Sequence, residues 1–462
     1  MYETPICRAQ MLTLPLLFLF LTTAAVAEFL SVSSDNVLHM STISPDTDGD
    51  GAPPLPLPYS FTDNFNPVRN ETITSDSKSL FKNGKRFFPI GGEVHFARVP
   101  YLQWREELEK MKAGGLNTLS VYLFWIHHEE KEGDFHFEEQ RDARAFLELA
   151  DELDFMVLLR VGPWDHGEVR NGGHPDWVEE QSTKVRSADD DVYMGFVDKF
   201  FQRLAKELDG LWWHQGGPIH FCQLDNETGD WKYLSALHKL AVKYNFAPVS
   251  FTRTGWPALA EGAPVGEDFP LLPFFGGYPD YYWVNDMQPA VMNPTDPALA
   301  ASYAFDNAQK PSNELFGGQD YFPPLNIETG GGMSVDYNHR VHMSSDDMPA
   351  LHNVISAEVA GLGYYMYHGG VNPPSYEDPR QLDPSKSLTE GSWSSEGTQN
   401  GMNYIKYPYY CPIGENGQVR CVGCVGRCGW LGGRSSLRLR GECGTSALVD
   451  LLRARSQAAA PC

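Results

Sequence analysis

The stretch FCQLDNETGDW, residues 221–231, carries two readings that exclude each other. Asn226-Glu227-Thr228 is an N-x-[ST] sequon, which belongs on an exposed loop of an exported protein. Residues 219–224, IHFCQL, read instead as a buried strand, and such a strand delivers Asn226 and Glu227 to the mouth of a core. The second reading requires companion strands, each ending in a polar loop.

The companions are present. Residues 88–96, 118–124 and 156–161 read as strands, each followed by a helix-periodic segment at 101–113, 139–153 and 192–208. The strand at 219–224 leads into a helix at 231–244, and further strands are expected at 248–253, 271–275, 325–327 and 362–367. Eight such units predict an α/β fold, a (β/α)8 TIM barrel whose site is built from loops at the C-terminal ends of its strands. A doubly wound open sheet is the alternative. It asks for a G-x-G-x-x-G turn after the first strand, whereas Gly91-Gly92 comes before that strand ends and lacks the spacing.

Composition narrows the partners. The 462 residues carry a formal net charge of -24, which repels phosphates and excludes nucleic acid or an anionic membrane as the main partner. The apolar run at 11–20 precedes Ala25 and Ala27 in an A-x-A arrangement, so residues 1–27 read as a cleaved secretory signal; the run is too short to span a bilayer. A secreted or endomembrane, vacuolar or lysosomal location follows, with no stable membrane insertion after cleavage. Residues 28–77 are linker and lead-in. Asp46, Asp48 and Asp50 resemble the start of a calcium loop, but Leu57 stands where a bidentate Glu is needed. Asn70-Glu71-Thr72 is a second sequon in polar surroundings. Cys222, alternating with Ile219 and Leu224, reads as a small buried hydrophobe.

The residues just past the strands are Arg98, Tyr122 and Trp125, Glu168, Asn226-Glu227, Tyr278, Glu328, and Tyr367-His368. Carboxylates thus close the fourth and seventh strands, across a barrel from one another, with aromatics around them. That is the equipment of glycoside hydrolysis: one carboxyl kept protonated for the leaving oxygen, one kept ionised for the anomeric carbon. In retaining enzymes the pair lies about 5–5.5 Å apart. No metal or organic cofactor is needed. Each carboxylate also has a bland reading, Glu227 as an acid opening the next helix and Glu328 as a cap on the Gly330-Gly331-Gly332 turn.

The segments GGEVHFAR (91–98), AGGLNTLSVYLFW (113–125), HEEKEGDFHF (128–137), LLRVGPW (158–164), GGHPDW (172–177), QLDNE (223–227) and YYMYHGG (364–370) resemble, in order and spacing, those of the glycoside hydrolase family 35 β-galactosidases. The resemblance covers roughly 80–420, within a catalytic domain read as 78–420. It implies Glu227 as acid/base and Glu328 as nucleophile. It further implies Tyr122, Glu168 and Asn226 as sugar ligands, Asn226 holding the 2-hydroxyl, with Tyr409 as another and Tyr407 as its fallback. The expected activity is removal of terminal β-galactose from glycans by double displacement. Exo-β-glucosaminidase action and a non-catalytic carbohydrate-binding barrel are the alternatives.

The chain also departs from that family. Ile126 stands where an Asn is usual, and His166 where a small or amide residue is usual, so contacts to the sugar's 3- and 4-hydroxyls are open to change, with His166 a candidate ligand or a loop residue. His95, on an apolar strand, reads as a hydrogen-bonded core residue. The family's C-terminal β-rich domains are expected to be largely absent. Residues 421–462 hold six Arg and the acids Glu442 and Asp450 alone, with Cys421, Cys424, Cys428, Cys443 and Cys462. A disulfide or zinc knot, a basic tail and a misframed gene model compete, and the last is favoured for want of strand alternation or a core. Oligomeric state and natural glycan are not legible.

Overall fold

Short runs rich in Val, Leu and Ile recur along the chain and form the wall of one barrel. A computed structural model describes residues 64–76, 79–246, 249–253, 272–277, 323, 325–330, 360–373, 406–407 and 411–419, all within the unit Leu55–Cys462. A small antiparallel sheet comes first, β1 (Phe65–Asn66), β2 (Glu71–Ser75), β3 (Leu80–Lys82) and β4 (Lys85–Phe87), in that order. The barrel follows: β5 (Ile90–Glu93), β6 (Thr118–Tyr122), β7 (Met156–Arg160), β8 (Ile219–Asn226), β9 (Val249–Arg253), β10 (Leu272–Gly277), β11 (Leu325–Gly330) and β12 (Gly361–Tyr365). Each pairs in parallel with the next, and β12 pairs with β5, closing the sheet. A ribbon of β13 (Gly370–Val371) and β14 (Lys406–Tyr407) completes the strands.

The (β/α)8 expectation holds, with local shifts. The first strand stops at Glu93, because the chain turns into a 3-10 turn at Phe96–Arg98. The last stops at Tyr365, so Tyr367 and His368 lie beyond it. The predicted helices are α1 (Trp104–Ala113), α3 (Ala143–Glu152), α5 (Asp191–Glu207) and α6 (Trp231–Lys243), with short α2 (Trp125–His128) and α4 (Asp176–Gln181) inside the loops. Asp142, Asp190 and Asp230 cap α3, α5 and α6 by accepting backbone N–H bonds from their first turns. No helix among the described residues is long and apolar enough to cross a membrane.

Strand alternation decides what faces the axis. Thr118, Ser120, Met156, Leu158 and Phe221 line one interior cavity, and the same period carries Tyr122, Arg160 and Gln223 to the axis one layer higher. The lower barrel is therefore apolar and its upper end polar.

Outside the wall, α5 buries Tyr193, Phe196, Val197, Phe200, Phe201 and Leu204, a helical stripe of the 3.6-residue period. Phe200 lies flat on Trp125, ring centroids 4.5 Å apart. Phe200→Ala should lower unfolding free energy by about 3–5 kcal/mol, read from the denaturant midpoint; an unchanged midpoint would contradict this packing.

Candidate active site

Arg160, the last residue of β7, is fully buried at the upper end of the barrel. A guanidinium has only donors and stays charged, so burial requires acceptors around it. They come from three other strands. Nη1 donates to Glu93 Oε2 on β5 at 3.1 Å, Nε to Gln223 Oε1 on β8, and Nη2 both to Asn226 Oδ1 on β8 at 3.0 Å and to Glu328 Oε1 on β11. Tyr122 of β6 offers its ring face, 3.9 Å from Cζ. Burial opposes the charge on Arg160, but Tyr122, Glu93 and Glu328 more than offset it, raising its pKa well above the ordinary value.

The two acids on Arg160 differ in environment. Burial pushes Glu93 up to about 7, against the pull of Arg160. Glu93 is therefore biased toward its neutral form at mildly acidic pH, and Glu328 is the second acid in contact with the guanidinium. Burial likewise pushes the Tyr122 phenol well above its usual value, so it remains a neutral hydroxyl. His95, buried against Glu93 and hydrogen-bonded to Arg98, is held well below the usual imidazole value by burial and by the Arg98 and Arg160 charges. It is a core residue, as expected.

Both carboxylate-bearing strands are irregular near their ends. The β8–β9 register shifts between Gln223 and Asn226, and the β11–β12 register between Asn326 and Thr329. Bulges of this kind re-aim side chains. Asp225 and Glu227 both sit at φ +56°, so consecutive side chains leave the simple alternation, and Glu227 emerges half-buried beyond the strand. Arg186 secures this turn from behind, donating to Asp225 Oδ1 at 2.6 Å and to the Asn226 carbonyl at 2.7 Å while stacking over Trp164.

The loop after β7 supplies His166 and Glu168. His166, Gly167 and Glu168 have φ of +54°, +57° and +48°, one left-handed turn closed by Val169 N–H donating to the His166 carbonyl at 3.0 Å. His166 Nδ1 lies 3.0 Å from Asn226 Nδ2 and 3.6 Å from Glu227 Oε2. Glu168 Oε2 accepts from the Tyr365 hydroxyl at 2.9 Å, and its carbonyl accepts from Arg98 Nη2 at 3.1 Å.

Of the residues singled out from sequence, Tyr122, Asn226, Glu227, Glu328, His166 and Glu168 are linked through these contacts. Arg98 acts on the Glu168 backbone. Trp125 instead packs on Phe200 and donates to Glu129, and Ile126 packs in the core. Tyr367 packs in the outer core and His368 bonds Glu107 of α1 at 3.1 Å; Tyr365 is the residue of that segment that reaches the site. Tyr278 and Tyr409 lie outside the described residues, and of Tyr407 only the backbone is described. Sequence reasoning missed Glu93, Arg160, Gln223, Arg186 and Tyr365. Buried Cys222 has its thiol pKa pushed up by burial, as a small hydrophobe should. Among the described residues no group of three or more His, Cys, Asp or Glu side chains is placed to hold a metal ion.

The sequence profile of Glycosyl hydrolases family 35 matches residues 79–420, a span that contains the whole barrel. The chain is 38% identical over 342 residues to a beta-galactosidase of Canis lupus familiaris, covering 70% of this chain and 47% of that protein. It is 40% identical over 183 residues to a Homo sapiens beta-galactosidase, 37% of this chain and 27% of that one. Among solved structures, an exo-beta-1,4-mannosidase from an Opitutaceae bacterium aligns with a TM-score of 0.42 at 16% identity, over 70% of this chain and 58% of that one. The chain thus spans less than half the length of the curated relatives it matches. With its barrel matched from end to end, the chain belongs to glycosyl hydrolases family 35.

Proposed function

We propose that the protein is a retaining exo-β-galactosidase, removing terminal non-reducing β-D-galactose from glycans by double displacement. The observation that carries this reading is the shared guanidinium: Arg160 Nη2 binds both Glu328 and Asn226, the residue before Glu227. Two strand-end carboxylates are thereby gathered at one guanidinium, Glu328 by direct contact and Glu227 through the adjacent Asn226. Glu328, paired with Arg160, is the ionised nucleophile, and its oxygen bonds to the anomeric carbon as the glycosidic bond breaks. Glu227 gives its proton to the departing oxygen, then takes one from the water that releases galactose. Asn226, Tyr122, Glu168 and Tyr409 bind the sugar, and His166 borders the same pocket.

An acidic lumen suits this assignment. Glu93 is neutral below about pH 7, which leaves Arg160 to Glu328. The signal-like residues 1–27, the linker at 28–77 and the catalytic domain at 78–420 fit a secreted or endomembrane protein acting on glycans. Residues 421–462 stand apart from that domain in composition. Asn226 suits sugar binding better than glycan attachment. Its side chain is buried and both ends of its amide are bonded, whereas Asn70 is exposed.

Glu328→Gln should reduce β-galactoside hydrolysis by roughly 10³-fold or more, since the nucleophile is lost; activity near wild type would remove Glu328 from that role, and preference for β-glucosaminides over β-galactosides would move the substrate. Glu227→Gln should slow substrates with poor leaving groups about 10²-fold while sparing dinitrophenyl galactosides in the first step, and equal slowing would remove Glu227 as the acid. For Glu93 the folded pKa of about 7 exceeds the ordinary 4.5, so the folded state holds a proton that the unfolded chain releases, and stability falls as pH rises through that window. Glu93→Gln should flatten this fall in denaturant midpoints; an unaltered slope would show that another group sets it. Mass spectrometry of the secreted protein should find glycan on Asn70 and none on Asn226, and a glycan on Asn226 in active enzyme would contradict the site.

A further inference from the structure

We propose that Arg186 is a positioning residue for the acid: by holding the Asn226 carbonyl it fixes the peptide between Asn226 and Glu227, and so the direction in which the Glu227 carboxyl points. The inference rests on the reading of Glu227 as the acid of a glycoside hydrolase and adds a residue to it.

Backbone geometry carries the argument. Asp225 and Glu227 both lie at φ +56°, a region that non-glycine residues occupy only where their surroundings over-determine them. Asn226, between them, is gripped at two points. Arg160 Nη2 donates to its side-chain Oδ1 at 3.0 Å, and Arg186 Nη2 donates to its carbonyl at 2.7 Å. Asp225 is held by the same Arg186 nitrogen at 2.6 Å and through its own N–H, which donates to the Gly162 carbonyl at 2.8 Å. Glu227 follows directly, and its φ is set against the peptide whose carbonyl Arg186 holds. Release of that carbonyl frees the peptide to rotate and lets Glu227 leave the left-handed region. The carboxyl would then lose its fixed direction.

The way Arg186 spends its donors separates this role from a plain ion pair. A guanidinium that served only to neutralise Asp225 would lay two parallel N–H bonds on its two carboxylate oxygens. Arg186 instead divides Nη2 between Asp225 Oδ1 and the backbone carbonyl, and its buried Nε makes no hydrogen bond among the described residues. Fork pairing is given up and the carbonyl is held. Bonds from a charged donor are about twice as strong as neutral ones, which suits a carbonyl between two strained residues.

Arg186 is itself held in place. Its Cζ lies 4.8 Å from the centre of the Trp164 ring, and Gly172 leaves room for that ring, since a Cβ there would come within 2.2 Å of it. The loop that carries Arg186 is knotted onto the start of α5 by Asp190. One oxygen of Asp190 accepts the Thr183 N–H, the Thr183 hydroxyl and the Lys184 N–H, each at 2.7 Å. The other accepts the N–H groups of Val192 and Tyr193 at 3.0 and 2.9 Å. A rigid arm thus runs from α5 through Arg186 to the peptide before Glu227. None of its residues needs to touch the sugar.

The test is kcat/KM for wild type, Arg186→Ala and Arg186→Lys, with an alkyl β-galactoside and a dinitrophenyl β-galactoside, alongside denaturant midpoints. Arg186→Ala should slow the alkyl substrate about 10²-fold and the dinitrophenyl substrate less than about threefold, since only the former needs the proton. Arg186→Lys keeps a charged donor and should lose only about tenfold on the alkyl substrate. A residue that merely stabilised the fold would lower the midpoint and slow both substrates alike. Equal losses on the two substrates, or none, in whichever variant folds would overturn the role of Arg186, and so would failure of both to fold, which would assign it to stability alone. Glu227→Gln measured beside them separates the two readings. If it is selective while the Arg186 variants are not, this role alone falls; if it slows both substrates equally, or if wild type cleaves neither, the parent reading falls and this one with it.

Discussion

A buried guanidinium that must be surrounded by acceptors is the constraint on which the site depends. Arg160 reaches Glu93, Gln223, Asn226 and Glu328 and lies on the face of Tyr122, so strands β5, β6, β8 and β11 are tied to β7 at one height. The effective penalty for burying such an ion is several kcal/mol, and only a complete set of partners makes it tolerable. The barrel closes around a charge, and the acids that meet it differ in environment. Burial biases Glu93 toward its neutral form, and Glu328 lies in direct contact with the guanidinium.

Backbone irregularity does the rest of the positioning. A regular β8 would alternate Asp225, Asn226 and Glu227 between axis and wall. The register shift after Gln223 and the left-handed residues Asp225 and Glu227 break that alternation. Arg186 fixes the Asp225 carboxylate and the Asn226 carbonyl behind the turn. The loop from β7 meets it with a left-handed turn of its own, 166–168. Such conformations persist only where the surroundings over-determine them, and here they cluster where two loops converge on one carboxyl.

Much of this was legible in the sequence, because strand period and strand-end polarity are local signals. Glu227 and Glu328 were visible as acids closing apolar runs, and the eight strands as a rhythm. What was hidden depends on pairing across the barrel. Arg160 ends the run LLR and Glu93 ends IGGE, and each alone reads as a strand terminus. Together, a cation and an acid at the ends of buried strands are a signal, since neither can be buried without the other. Tyr365 was passed over for Tyr367 because the strand stops two residues earlier than its apolar pattern suggests. His166 drew notice as a sugar contact, but its neighbours in the fold are Asn226 and Glu227.

In the proposed mechanism Arg160 holds Glu328 as the nucleophile of a two-step reaction. That role is tested most directly by trapping the covalent intermediate with a 2-deoxy-2-fluoro-β-galactoside carrying a dinitrophenyl leaving group, followed by peptide mapping. One fluorosugar per active site is expected, bound to the peptide of Glu328 and absent when substrate protects the enzyme. A label on any other carboxylate, or none from an enzyme that still turns over β-galactosides, would contradict it.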